Sequence, residues 1–147
     1  VTVSPDSETG AFAEALSVEH AAVFAYGVVG AFANPARAGQ IAVDVAAHRA
    51  RRDTVIDLLH QAGAEAPVAA AGYALPFPVT DPFGAAQLAA QVESDTAVAW
   101  RAVVEHSDSA DSRRTALEAL TDAATREALW RSALGTDPTT AAFPGQP

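Results

Sequence analysis

The chain has 147 residues, half of them apolar, enough for one domain with a real core. Its 18 acidic and 9 basic residues give a net charge of −9, which argues against nucleic acid and anionic membrane as partners, since both need positive surface. With no cysteine there is no disulfide, thiol catalysis or cysteine metal site.

Much of the apolar content is alanine, which favours closely packed helices over a sheet. Every basic residue is arginine, and methionine is absent, so the chain is expected to be processed or cut from a longer protein. The longest apolar run, "AAVFAYGVVGAFA", is 13 residues and too short for a bilayer, which needs about 20. No secretory signal opens the chain, so a cytoplasmic location is the expectation.

Four helices are predicted. The first covers about residues 8–33, with Asp6 or Ser7 available as its N-cap. The second covers about 36–63: Asn34 can cap it, Pro35 suits its first turn, and Gly63 is a good stop. On it, Ile41, Val45, His48, Arg52, Val55 and Leu59 recur at spacings of three and four, so a buried stripe carries a histidine and an arginine. Residues 64–81 are rich in proline and have no period. The third helix covers about 82–107, with Asp81 as cap and Pro82 at its first position. The fourth covers about 110–134 and is closed by Gly135; residues 135–147 form a tail that lies along the surface or frays.

Short turns make helices one and two, and helices three and four, antiparallel hairpins. The middle connection is long. A helix of about 26 residues runs roughly 39 Å, and about 18 residues of extended chain reach up to about 60 Å. Helix three can therefore start beside the start of helix two and run parallel to it. A shift of 74 residues supports two related halves: it places Val18 on Val92, Glu19 on Glu93, Tyr26 on Trp100, Val29 on Val103, His48 on Asp122, Arg52 on Arg126 and Asp53 on Glu127.

With "ALSVEHAAVFAYG", "AAHRARRD" and "ESDTAVAWR" in these places, the chain resembles the ferritin-like superfamily over about residues 8–134. More narrowly, it is similar to a ferritin-like family of bacterial proteins of unknown function. The resemblance implies an all-α ferritin-like four-helix bundle of two antiparallel hairpins joined by the long crossover.

It also implies a metal site to be sought. In that superfamily a Glu on each of helices one and three joins a Glu-x-x-His on each of helices two and four. Glu19 and Glu93 match the first pair. Taking His48 as the histidine leaves Val45 in the glutamate position, with Asp122 and Ala119 as the repeat counterparts. Taking His48 as the glutamate position leaves Arg51 and Thr125 where histidines belong. Either register lacks the carboxylates that bridge two metals, so no dinuclear iron is expected.

Two readings of the centre stay open. In one, Glu19, His48, Glu93 and Asp122 converge at mid-bundle on a single Fe, Mn or Zn ion. In the other, a metal-free layer of Glu19, His20, His48, Arg52, Glu93, Arg126 and Glu127 stands where a metal once stood. There Arg52 and Arg126 pair with Glu19 and Glu93, and because arginine keeps its charge this reading is preferred and no cofactor is expected. Tyr26 and Trp100 are expected as core aromatics next to this layer; beside a metal, Tyr26 could be redox-active.

Three functions follow. The preferred one is a non-enzymatic association module, homodimeric through an alanine-rich helix face. The second is a metal-dependent oxidoreductase. The third is a small-ligand binder with "GYALPFPVTDPF" as a lid over a groove beneath Phe77 and Phe83.

Overall fold

A computed structural model describes residues 4–147; residues 1–3, which the single-domain expectation includes, lie outside the described residues. The described residues form four long helices and no strand: α1 (Glu8–Phe32), α2 (Ala38–Gln61), α3 (Pro82–His106) and α4 (Ala110–Ala133). Their starts are set by side chains that satisfy free amide groups. The Ser7 hydroxyl accepts from Gly10 N at 3.0 Å, the Asp81 carboxylate from Gly84 N at 2.7 Å, and the Ser109 hydroxyl from Ser112 N at 3.0 Å. Asn34 caps only a turn of 3-10 helix, Pro35–Arg37, so α2 begins two residues later than the sequence suggests.

Helices α2 and α4 end alike. Gly63 and Gly135 both adopt a φ of 70°, which lets Ala64 N reach Leu59 O and Thr136 N reach Arg131 O across the last turn.

Side-chain pairings give the topology. Along α1, Glu19 meets Trp100 while Tyr26 meets Glu93, so α1 and α3 are antiparallel. Glu19 also meets His48 while Tyr26 meets Asp44, so α1 and α2 are antiparallel. Hence α2 runs parallel to α3, as the crossover length allows. The crossover travels along the flank of α1. His20 Nε2 donates to Pro67 O at 3.0 Å, the Phe24 and Tyr73 rings sit 5.4 Å apart, and Leu75, Phe77 and Val79 pack into the core.

The core is in two apolar parts. At one end Phe12, Leu16, Val55, Leu59, Trp100 and Val103 pack together, and at the other Val29, Ile41, Val79, Leu88, Val92 and Trp130. Each fully buried large side chain contributes about 1.5–3 kcal/mol of transfer free energy. Between these halves lie Glu19, His48 and Glu93, each at most 1% exposed. By length and composition α1 is apolar enough to cross a bilayer, yet in the bundle it buries Leu16, Glu19, Tyr26 and Val29.

The C-terminal tail is docked rather than frayed. Gly145, with a φ of 75°, lies so close to α3 that a side-chain carbon there would collide with the Ala97 carbonyl. Only glycine suits both the dihedral and the approach.

Candidate functional site

The middle of the bundle is organised by one imidazole. His48 Nδ1 lies 2.7 Å from Glu19 Oε2, and its Nε2 lies 2.9 Å from Glu93 Oε1. A carboxylate accepts and does not donate, so both ring nitrogens donate and the ring is a bridging imidazolium. Burial works against that charge, but the hydrogen bonds donated to Glu19 and Glu93 outweigh it and push the His48 pKa from 6.5 up to about 9.

Each glutamate has further donors. Trp100 Nε1–H donates to Glu19 Oε1 at 2.7 Å, the Tyr26 hydroxyl to Glu93 Oε1 at 2.6 Å, and Arg126 Nε to Glu93 Oε2 at 3.0 Å. Tyr26 and Trp100, related by the internal repeat, thus reach across to each other's glutamate. They are polar members of the centre as well as core aromatics. Burial, with Glu93 and Asp44 beside it, holds the Tyr26 phenol far above its usual range, so it stays a donor.

Asp44 extends the network. Its Oδ2 accepts from Trp130 Nε1–H at 3.0 Å and lies 3.2 Å from the Tyr26 hydroxyl. Burial raises the Asp44 pKa, against the lowering effect of the Trp130 hydrogen bond. The one Tyr26 hydroxyl proton goes to Glu93, and Trp130 Nε1–H, 3.0 Å from both Asp44 Oδ2 and the Tyr26 oxygen, ties Asp44 to the Tyr26–Glu93–His48–Glu19 chain.

Several expected members lie elsewhere. Arg52 does not meet Glu19; its Nε bonds the neighbouring Asp53 at 2.8 Å on the surface. Position 52 is about 40° round the helix from His48, on the flank opposite Asp44 and Arg51, which face α4, and Trp100 already fills the donor place on Glu19. Asp122 does not join His48 but pairs with Arg51 at 3.0 Å and is largely exposed. Ala119 and Ala123 take the inward face of α4, which turns Asp122 outward. Arg51 also lies over the Trp100 ring, 5.8 Å from its centroid. His20 faces outward to the crossover, and Glu127 pairs with Arg131 at 3.4 Å rather than with the central groups. Arg126 does pair with Glu93, as expected.

Asp44 and Trp130 were not among the expected site residues. Asp44 sits one turn before His48, and that spacing of four is the only signal for it. The repeat gives none, because 74 residues on lies the exposed Glu118, and Trp130 falls on Ile56. Among the described residues, no three His, Asp or Glu side chains are arranged to hold a metal ion. The largely apolar cleft lined by the crossover lies not beneath Phe77 and Phe83 but beneath Tyr73 and Leu75; Phe77 packs into the core and Phe83 is exposed.

Two outcomes test this geometry. A group whose folded pKa is raised contributes stability that is complete below its unfolded pKa and lost as pH rises through the folded one. Unfolding free energy should therefore fall by about 3 kcal/mol from below pH 6.5 to above about pH 9. Urea melts across that range should show the slope in the native chain and lose it in His48→Gln. Second, Arg126→Ala should cost about 3–5 kcal/mol by stranding Glu93. In the same melts Arg52→Ala should stay within about 0.5 kcal/mol.

Comparison with known proteins adds a fold and a family but no activity. The structure is similar to the crystal structure of a conserved hypothetical protein, rv2844, from Mycobacterium tuberculosis. The two share 47% identity and a TM-score of 0.86, with 93% of this chain and 96% of that chain covered. No functionally curated protein matches. The family model described as a domain of unknown function, DUF4439, matches residues 11–147, and the chain belongs to that family.

Proposed function

We propose that this protein is a ferritin-like bundle whose central metal site has been replaced by a protein cation, and that it acts as an association module rather than as an oxidoreductase. The observation that carries the reading is the His48 bridge. An imidazole binds a metal through a free lone pair on the neutral ring. Here both nitrogens are taken by Glu19 and Glu93, and the raised pKa keeps the ring protonated at neutral pH. A metal would have to displace that proton and compete with the Arg126 guanidinium for Glu93.

The remaining donors point the same way. Trp100 Nε1–H can only donate, and it engages the other oxygen of Glu19. The hydrogen bonds that a metal would replace are thus already made by fixed groups. Asp122, the fourth ligand of the mononuclear reading, pairs with Arg51 at the surface.

For the association itself, the partner proposed is a second copy of the chain, meeting on the outer side of α2. Ala42, Val43, Ala46 and Ala50 are exposed there, with Val43 at 68%. These four side chains are apolar, and a two-fold interface would set them against the same residues of the second copy.

Purification without chelators followed by loading with Fe(II), Mn(II) or Zn(II) tests the central reading. Elemental analysis should find well under one ion per chain, with the His48 ring resonances unmoved. One stoichiometric ion that shifts those resonances would overturn it. For the partner, light scattering should give a dimer that Val43→Glu converts to a monomer; a native monomer at high concentration would remove the α2 interface.

A further inference from the structure

Between α1, α3 and the crossover lies a cleft of about 260 Å³. Its inner wall is apolar, with Val92 and Leu75 at its base, and the Phe24 and Tyr73 rings close one side. Both charged groups that line it are carboxylates, Glu14 and Asp95, and both are exposed on the rim. No arginine lines it.

The crossover is fastened on either side of this cleft. His20 holds Pro67 before it, and Val79 is buried after it. Between those anchors residues 69–72 are alanine and glycine, Leu75 and Phe77 turn into the core, and Tyr73 is the aromatic side chain that the crossover sets against the opening. Its hydroxyl accepts from Ala70 N at 2.9 Å, which fixes the ring against Phe24. The result is a preformed aromatic wall rather than a loop that must order on binding.

We propose that this cleft binds a small apolar amine. The hydrocarbon body lies between Phe24, Tyr73 and Val92, and the ammonium sits at the rim toward Asp95 and Glu14. The volume is below the usual range for drug-sized ligands, which selects a compact molecule. Aromatic faces and carboxylates both attract a cation, and a chain of net charge −9 repels an anion of the same shape. The site shares no residue with the Glu19–His48–Glu93 layer, so its failure would leave the metal-independent reading standing, and the reverse holds too.

The test is a two-dimensional NMR titration of the full chain with phenethylamine, 2-phenylethanol and 3-phenylpropanoate. The amine should shift the amides of Phe24, Tyr73 and Val92 and bind most tightly, with the carboxylate weakest. Replacing both rim acids, Glu14→Gln with Asp95→Asn, should weaken the amine by about fivefold or more and leave the alcohol unchanged. Ala21→Trp, which fills the cleft from its half-buried flank, should abolish binding of the amine and the alcohol alike. Should that variant fail to fold, the rim variants still decide the matter. Equal affinity for all three compounds, amine shifts confined to other residues, or no amine binding at millimolar concentration would each overturn the proposal.

Discussion

The structure depends on one buried imidazolium held between two buried carboxylates. His48 is fully buried, and Glu19 and Glu93 are at most 1% exposed. Taking such charges out of water costs several kcal/mol for each ion, and only close, well-aligned pairing offsets it. Both glutamates are therefore given donors on both oxygens, and the donors come from all four helices: Tyr26 on α1, His48 on α2, Trp100 on α3 and Arg126 on α4. Slide any helix along its axis and one of these bonds is lost. An alanine-rich chain needs such a device, because small side chains allow close packing but specify register poorly. The polar layer supplies the register that the apolar halves leave loosely defined.

The same layer shows where two-fold symmetry holds and where it fails. Glu19 with Trp100 mirrors Glu93 with Tyr26, so the α1–α3 pair keeps the pseudo-two-fold at its centre. The outer helices break it. His48 points inward from α2, whereas its repeat partner Asp122 turns to the surface from α4. Arg126 points inward from α4, whereas its partner Arg52 lies on the surface of α2. Each outer helix thus delivers one cationic group, but at different levels of the repeat. A symmetric arrangement would place both arginines, or both His48 and Asp122, against the glutamates. The asymmetric one gives Glu93 two charged donors and leaves Glu19 with one charged donor and the Trp100 indole.

How much of this is legible in the sequence follows from the range of each interaction. Helix order is legible because caps are local: Ser7, Asp81 and Gly63 each act within a few residues. The parallel run of α2 and α3 is legible because a chain of known length has a bounded reach. Glu19 and His48 can be placed at one height by counting from the turn at Asn34, and Glu93 joins them through the repeat. Facing direction is harder. Arg52 and Asp44 are each one turn from His48, at about +40° and −40° round the helix. Only the packing against α1 and α4 decides that Asp44 goes in and Arg52 stays out. Indole donors are harder still, since Trp100 and Trp130 read as core by composition while their single N–H groups complete the polar layer.

The position of the crossover connects this centre to binding. In a bundle whose core layer is engaged by its own side chains and sealed from solvent, a ligand has little polar foothold inside, because every oxygen of Glu19 and Glu93 already accepts from a fixed donor. Recognition must then move to a place where groups remain free. The crossover creates such a place by being longer than the turn of a simple hairpin and by lying against α1, where His20 and Phe24 receive it. The rim carboxylates of Glu14 and Asp95 are exposed, with one Asp95 oxygen accepting from Gln91 at 2.8 Å, and can exchange solvent for a cation at little cost, unlike those at the centre. On the reading proposed here, a sealed charge-balanced layer fixes how the helices register, and an outer cleft, whose residues bear no such duty, is left to bind.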